Sequence, residues 1–559
     1  MSKLRRRDLL MGLAGSASLL AARRAHAAPR FPCSDPPPSP RTTPFLAALP
    51  IPPVLTPVAP FPADCALPLQ SDLTRLRYFR IISEQRLVRL HPELPETSVW
   101  GYRDANTPRG RLDVLAGPTF IARAKEPIIV RHENQLPREH VGFGVPNTTV
   151  HLHGGHHDFR SDGFPEDIPG FRPVMHPGEA YDYCYPLLDP GFSTGEPDAT
   201  DRSATMWYHD HLLDFTGPNV YRGLFGLFLH YDELDSGSER SGLRLPSGRF
   251  DVPLVLQDKR FDRNGQLVYD GLTDHNGFLG DKELVNGAVQ PYLVVQRRKY
   301  RFRILNGANA RFYGLSLNDR DERPQPFDLI ATEGGLLAAP ARGRTFSLLS
   351  PAQRVDVVVD FSRYREGTRL YFENRLDQPD GRGPKGDFER PELLARGTRL
   401  LEIRVEGPAV EDPSRVPDSL RPFAAIQPAE IARARRRTFE FERRHGVWVI
   451  NGESVDLERP IAAVQRNEPE VWRLINKSGG WWHPIHVHLE FMHVLRRNGR
   501  VASAVEERDG LAKRDIITLG PNSDVEVFFK FRDFPGQWVF HCHTLEHEDA
   551  FMMARFDVL

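Results

Sequence analysis

Apolar residues in this chain occur in short runs rather than in long stretches with helical periodicity. In the segment Val525–Phe531, every second residue is apolar, as expected of a β-strand with one buried face. Residues 128–130 and 224–230 are further strand-like runs, and turn residues separate such runs throughout the chain. Short strands with frequent glycine and proline predict an all-β protein.

A loose repeat of a turn followed by a strand occurs three times, over residues 117–134, 285–306 and 450–476. A chain of 559 residues is too long for one hydrophobic core and long enough for about three domains. We therefore expect three similar β-sandwich domains. The predicted boundaries are 75–240, 250–408 and 420–559, with linkers rich in proline and charge between them and a proline-rich arm over 28–74.

Residues 1–27 are typical of an export signal. Arg6-Arg7 fits a twin-arginine pattern, an apolar run continues to about Ala22, and Ala25-His26-Ala27 is a small-x-small cleavage site. The apolar run is too short for a membrane anchor, and no other stretch is long and apolar enough to span a bilayer. These features predict a periplasmic or extracellular protein that is exported by the twin-arginine route, and we expect it to be a monomer.

The net charge of the whole chain is −1. The first 27 residues hold six Lys/Arg and one Asp, or +5, so the rest of the chain carries −6. A mildly acidic body gives no support for nucleic-acid binding. Of the four cysteines, Cys542 lies between two histidines, and any one pair among Cys33, Cys65 and Cys184 could form a disulfide in an exported protein.

Four histidine clusters are the strongest chemical signal in the sequence. They are His151-Leu152-His153-Gly154-Gly155, Trp207-Tyr208-His209-Asp210-His211, His483-Pro484-Ile485-His486-Val487-His488, and His541-Cys542-His543 with His547 and Met552. Because alternate side chains of a strand share a face, each His-x-His unit presents two imidazoles on one side. One such unit can arise by chance, but four of them predict metal binding.

The position of Cys542 separates two metal sites. Its side chain should point to the opposite face of the strand from His541 and His543. In the third cluster, His483 should likewise point to the opposite face from His486 and His488. Cysteine, two histidines and a weak thioether form the ligand set of blue copper, which suits one-electron transfer. Zinc is the competing metal for cysteine and histidine, but a zinc site has no use for eight further histidines, and iron usually takes a carboxylate.

The four motifs, in this order, resemble those of the multicopper oxidases, and the resemblance extends over residues 75–559. The neighbouring segments Ser161-Asp162-Gly163, 219–224 and 545–549 are most similar to the bacterial spore-coat laccase and bilirubin oxidase branch. The resemblance implies three cupredoxin-like Greek-key β-sandwich domains and four copper ions. It also implies that the first and last domains enclose the histidine-only site.

The resemblance assigns the ligands by motif position. The type 1 copper would be held by His483, Cys542 and His547 with Met552 as the axial ligand, the type 2 copper by His151 and His486, and the type 3 pair by His153, His209, His211, His488, His541 and His543. Met553 is the adjacent competitor for the axial position. Asp162 and Glu548 match carboxylates that supply protons for oxygen reduction in relatives. The alternative interpretation is that Asp162 is only a turn residue and that Glu548 is a solvated acid.

The implied activity is one-electron oxidation of a small reducing substrate coupled to four-electron reduction of dioxygen to water. We expect electrons to enter by an exposed edge of His483 or His547. Phenols, aromatic amines or bilirubin-like molecules are the predicted substrates. The alternative is a metal oxidase acting on cuprous, ferrous or manganous ions, although the seven methionines form no methionine-rich insert. A copper-free structural protein is disfavoured because every ligand is present.

Overall fold

Strands dominate the computed structural model, which describes residues 37–108, 114–273, 275–501 and 512–559. The predicted all-β class is therefore confirmed. The predicted signal segment 1–27 and Cys33 lie outside the described residues. None of the helices in the described ranges has the length and apolar character that a membrane crossing requires.

The first part of the chain forms two facing four-stranded sheets. In chain order the strands are β1 Arg77–Val88, β2 Thr97–Asp104, β3 Gly117–Arg123, β4 Ile128–Asn134, β5 Val150–His153, β6 Ala180–Tyr185, β7 Thr205–Asp210 and β8 Phe225–Tyr231. The sheet orders are β2-β1-β4-β6 and β3-β8-β7-β5. Phe79 and Val130 of one sheet share a buried core with Leu152 and Phe228 of the other. A short helix, Thr216–Arg222, precedes β8.

The middle part forms the second pair of sheets. Its strands are β9 Asp251–Phe261, β10 Leu267–Val268, β11 Lys282–Val285, β12 Ala288–Val289, β13 Tyr292–Arg297, β14 Lys299–Asn306, β15 Tyr313–Asp319, β16 Pro324–Gln325, β17 Phe327–Thr332, β18 Gly335–Arg344, β19 Ser347–Leu349, β20 Arg354–Asp360, β21 Arg369–Leu376 and β22 Leu393–Ala409. One sheet has the order β12-β11-β9-β14-β20-β17-β18, and the other has the order β13-β22-β21-β15-β16. Strand β10 pairs with β9, and strand β19 pairs with β15.

The last part forms the third pair of sheets and carries two of the histidine clusters. Its strands are β23 Arg435–Arg444, β24 Val447–Ile450, β25 Ala462–Val464, β26 Pro469–Asn476, β27 His483–Val487, β28 His493–Arg497, β29 Arg500–Val501, β30 Ile516–Leu519, β31 Asp524–Lys530, β32 Gly536–Cys542 and β33 Met553–Val558. The sheet orders are β24-β23-β26-β31-β28-β29 and β25-β33-β32-β27-β30. The α-helices in the described residues of this part are Pro428–Arg433 and Leu545–Asp549. The domain boundaries given above stay a prediction.

One disulfide joins the proline-rich arm to the first pair of sheets. It links Cys65 to Cys184 in β6, across a sequence separation of 119 residues, so the structure selects one of the pairs that the sequence left open. Cys542 is free and buried. The arm also pairs with the middle sheets, since Ala48 forms a bridge with Tyr292. A disulfide that closes so long a loop strongly restricts the conformational freedom of the unfolded chain.

Two buried arginines of the middle sheets contact the other two pairs of sheets. Arg303 on β14 forms a two-pronged salt bridge with Asp251 and donates to the carbonyl of Ala204 beside β7. Arg354 on β20 forms another with Asp515, which precedes β30. Each guanidinium is fully buried, where a charge is tolerated only beside a well-placed carboxylate. These contacts fix the first and last sheet pairs relative to each other.

Candidate metal centre

The four histidine clusters lie at the ends of neighbouring strands in two sheets. His151 pairs with His209 across β5 and β7, and His486 pairs with His541 across β27 and β32. His211, His488 and His543 directly follow strands β7, β27 and β32. All eight histidines of the His-x-His units are buried. Strand pairing therefore holds them in a fixed register, and the two sheets meet at this point.

The eight imidazoles converge into a small space. Nε2 of His486 lies 3.3 Å from Nε2 of His151, and Nε2 of His541 lies 3.2 Å from Nε2 of both His211 and His488. The rings of the remaining three histidines lie 5.1 to 5.8 Å apart, and these are His153, His209 and His543. The eight imidazoles thus form one pair and two triads, which are His151 with His486, His211 with His488 and His541, and His153 with His209 and His543.

The ring tautomers leave nitrogen lone pairs free in this space. Backbone carbonyls lie 2.8 to 3.1 Å from Nδ1 of four rings, in the pairs His151–Asp162, His209–Asp210, His486–Asp515 and His541–Cys542. A carbonyl only accepts, so Nδ1 of these rings carries the hydrogen and Nε2 keeps its lone pair. Nε2 of His209 and both ring nitrogens of His543 have no hydrogen-bond partner within the described ranges. Unpartnered buried lone pairs that converge fit metal ions.

Burial also keeps six of these rings neutral. Desolvation is the first cause that lowers the pKa well below the usual range for His153, His209, His211, His486, His488 and His543. Neighbouring imidazoles lower it further, because two adjacent imidazolium charges would repel each other. Neutral imidazole is the form that binds metal.

A second site lies on the other face of β32. Sγ of Cys542 is 3.4 Å from Nδ1 of His483 and 3.6 Å from Nδ1 of His547. The two histidine nitrogens are 3.1 Å apart, and all three residues are fully buried. Burial raises the pKa of the Cys542 thiol and lowers the pKa of His483 to about 3. A metal that binds here must displace the thiol proton.

The two methionines that follow face opposite sides of the last sheet. Met552 belongs to the hydrophobic core that also contains Cys542. Met553 pairs with His541 in the register of β32 and β33 and packs in a separate cluster with Val539. The structure thus places the thioether of Met552, and not that of Met553, on the side of the cysteine site.

The expectation of an exposed imidazole edge for electron entry is wrong. His483 and His547 are both 0% exposed. Nε2 of His483 lies 2.6 Å from Oγ of Ser478, and the buried ring of Trp448 lies 4.1 Å from the ring of His547. These side chains separate both imidazoles from solvent. The alternation of residues along a strand predicts the face of a side chain, but it does not predict such tertiary contacts.

Aromatic side chains form the outer layer of the cysteine site. The ring of Trp448 lies 5.5 Å from the ring of Trp481, which is half-buried. The exposed guanidinium of Arg443 lies 5.2 Å from the Trp448 ring and 5.6 Å from the Trp481 ring. It donates to the neutral side-chain oxygen of Asn276 at 2.7 Å. The approach to the site is therefore aromatic and carries a positive charge.

The two predicted carboxylates contact the histidine-only site from different sides. Oδ2 of Asp162 lies 2.6 Å from Nδ1 of His488, and its Oδ1 lies 3.2 Å from Nδ1 of His151. Oε2 of Glu548 lies 3.0 Å from Nδ1 of His541. Both carboxylates are almost fully buried, so neither is a solvated surface acid.

Sequence reasoning missed Asp515. Its carbonyl accepts from His486, and its Oδ1 lies 3.3 Å from Nε2 of His153. In the sequence it follows Lys513 and Arg514, and such a charge run is normally solvent-exposed. Only the tertiary salt bridge to Arg354, a residue of the middle sheets, shows that it is buried beside the histidines.

Comparisons with known proteins agree with this geometry. Two family models described as multicopper oxidase match residues 113–234 and 425–559. The chain is 34% identical to bilirubin oxidase of Albifimbria verrucaria, over 93% of this chain and 82% of that protein. It is 30% identical to a laccase of Bacillus subtilis, over 92% of this chain and 98% of that protein. The crystal structure of the multicopper oxidase McoA from Aquifex aeolicus superposes with a TM-score of 0.73 at 26% identity, over 91% and 99% of the two chains.

Proposed function

The chain belongs to the multicopper oxidase family, in the branch of bilirubin oxidase and the Bacillus laccases, and we propose that it is an exported, laccase-like enzyme that oxidises aromatic organic reductants. Family membership makes it a copper-dependent oxidoreductase that uses dioxygen and a reducing substrate. It also confirms the predicted cupredoxin-like fold.

The position of Cys542 carries the proposal. Its side chain lies against His483 and His547, while its two chain neighbours, His541 and His543, belong to the eight histidines of the His-x-His units. In the proposed assignment the cysteine set with Met552 holds the type 1 copper, His151 and His486 hold the type 2 copper, and the two triads hold the type 3 pair. Copper bound at these residues supplies one-electron transfer and the four-electron reduction of dioxygen to water.

The protein residues around this centre have distinct tasks. The backbone carbonyls that accept from Nδ1 orient the imidazoles. The short covalent path from Sγ of Cys542 to His541 and His543 connects the two sites. In this proposal Asp162 and Glu548 hold and release the protons that oxygen reduction consumes, because each lies within 3.0 Å of a histidine nitrogen at the site.

The charge at the electron entry favours an organic substrate. Arg443 places a positive charge beside Trp448 and Trp481, and a cuprous, ferrous or manganous ion approaching these rings would be repelled. An aromatic reductant can stack on the half-buried Trp481, and a carboxylate on that reductant would be attracted by Arg443. Metal-ion oxidation is the second candidate, since the site chemistry alone is compatible with it.

Replacing Cys542 by Ser should abolish the blue absorption of the copper-loaded enzyme and its oxidase activity. The reason is that the thiolate provides both the charge-transfer band and the link to His541 and His543. Absorption spectra, copper content and circular dichroism check this result. Met553→Leu, in the same segment but on the opposite face, should stay blue. A Cys542→Ser protein that remains blue would refute the type 1 assignment.

Replacing Asp162 by Asn, or Glu548 by Gln, should slow turnover with dioxygen by about 10²-fold or more, because a positioned proton donor is lost. Copper content, the blue band and the anaerobic rate of reduction by substrate should stay close to wild type. Stopped-flow absorption separates the two half-reactions. If anaerobic reduction slows as much as turnover does, the proton role is wrong.

Arg443→Glu should lower kcat/KM for an anionic aromatic reductant and raise it for ferrous ion, each by about threefold to tenfold at low ionic strength. Arg444→Glu makes the same charge change on the neighbouring exposed residue and should have a smaller effect. Steady-state kinetics at two salt concentrations provide the measurement. Equal effects of the two variants would remove the argument for an organic substrate.

Export by the twin-arginine route belongs to the same proposal and depends on residues outside the described ranges. Replacing Arg6 and Arg7 by Lys should leave the precursor in the cytoplasm, because that pathway requires the arginine pair. Fractionation followed by immunoblotting measures the distribution. Unchanged export of the double variant would indicate general secretion.

A further inference from the structure

A short chain of hydrogen bonds begins at His483, in the cysteine site, and ends at Asn476. Nδ1 of His483 faces Sγ of Cys542 at 3.4 Å, whereas its Nε2 lies 2.6 Å from Oγ of Ser478. Oγ of Ser478 in turn lies 2.5 Å from Oδ1 of Asn476. All four side chains are buried, so these polar groups depend on protein partners rather than on solvent.

The position of Asn476 fixes the direction of these hydrogen bonds. Its Nδ2 donates to the carbonyl oxygens of Trp481 and Gly520, at 2.7 and 2.9 Å. The amide nitrogen is thus the end that faces the carbonyls, and the end that faces Ser478 is Oδ1, which only accepts. The backbone N–H of Ser478 also donates to Oδ1, at 3.0 Å, which completes an Asx-turn. The hydroxyl of Ser478 must therefore donate to Asn476.

The same constraint fixes the tautomer of His483. The hydroxyl hydrogen of Ser478 is already used, so its oxygen accepts from the imidazole. Nε2 of His483 must then carry the hydrogen, and Nδ1 keeps its lone pair on the side of Cys542. Ser478 therefore holds His483 in the tautomer that can bind a metal through Nδ1.

The second histidine of the cysteine site has a more distant acceptor. Nε2 of His547 lies 3.4 Å from the carbonyl oxygen of Asn276, beyond the distance of about 2.7 to 3.2 Å of an ordinary N–H···O hydrogen bond. The contact between His483 and Ser478, at 2.6 Å, is much closer. Of the two imidazoles, His483 is therefore the one whose electron density responds more strongly to its hydrogen-bond acceptor.

We propose that Ser478 is a positioning residue that fixes the tautomer of His483 and lowers the reduction potential of the copper at the cysteine site. This inference rests on the proposed assignment of the type 1 copper. An imidazole N–H is a stronger donor when its ring binds the more highly charged, oxidised metal ion. The hydrogen bond to Ser478 thus stabilises the oxidised state more than the reduced state, which lowers the potential.

Replacing Ser478 by Ala removes the acceptor and should raise the type 1 reduction potential. At a fixed applied potential, the ratio of reduced to oxidised type 1 copper should rise by about threefold to tenfold, the equilibrium equivalent of one hydrogen bond. Ser478→Thr keeps the hydroxyl and should restore the wild-type ratio. Redox titration followed at the blue band measures this ratio without turnover. An unchanged ratio in Ser478→Ala, or a threonine variant that titrates like the alanine variant, would overturn the proposal.

Ser523→Ala provides a matched control. Ser523 is also buried, and its hydroxyl donates at 2.8 Å to the carbonyl of Gly520, which also accepts from Asn476. This variant removes a hydroxyl from the same neighbourhood, but one that bonds to Gly520 rather than to His483. Its redox titration should match that of the wild type. A shift as large as that of Ser478→Ala would indicate a general effect of packing and would refute the specific role of Ser478.

Neutron diffraction from crystals of the copper-loaded enzyme in deuterated buffer tests the hydrogen positions directly. We expect deuterium on Nε2 of His483, directed at Oγ of Ser478, and deuterium on that Oγ, directed at Oδ1 of Asn476. A hydroxyl deuterium directed away from Asn476, or loss of the contact between Ser478 and His483, would contradict the proposal. This result does not depend on whether Ser478→Ala folds.

The outcomes separate this inference from the function on which it rests. If Cys542→Ser abolishes the blue band and Ser478→Ala leaves the potential unchanged, only the role of Ser478 is wrong. If the Cys542→Ser protein remains blue, the type 1 assignment fails, and the effect of Ser478 on the potential fails with it.

Discussion

The alternation of side chains along β32 is the constraint on which the rest of the structure depends. Within Gly536–Cys542 and the residue that follows, consecutive side chains point to opposite faces, so His541 and His543 face one site while Cys542 faces the other. The register with β27 repeats this division, since His486 lies opposite His541 and Ile485 lies opposite Cys542. Two chemically different centres are thereby held a few covalent bonds apart, and no side chain has to move to connect them.

The middle sheets contribute none of the proposed ligands, yet they help to build the centre. Arg354 crosses from β20 to Asp515, and Asp515 in turn contacts His486 and His153. A fully buried guanidinium is tolerated only with a well-placed carboxylate, so this pair fixes the middle sheets to the last pair at one point. The relative placement of β5 and β27, on which convergence of the eight imidazoles depends, is set partly by this contact.

Much of the site could be predicted from the sequence because the ligands obey local rules. Strand parity separates Cys542 and His483 from the His-x-His units, and motif order identifies the family. The environment of the site could not be predicted in this way. The Trp448 ring over His547 and the burial of Asp515 depend on contacts between segments far apart in the chain. The Cys65–Cys184 pairing was left open for the same reason.

The most direct test of this account is anomalous X-ray diffraction from crystals of the copper-loaded protein at the copper absorption edge. We expect one peak among Cys542, His483 and His547, and three further peaks among the eight histidines of the His-x-His units. A map with no peak beside Cys542, or with peaks that follow the zinc edge instead, would contradict it.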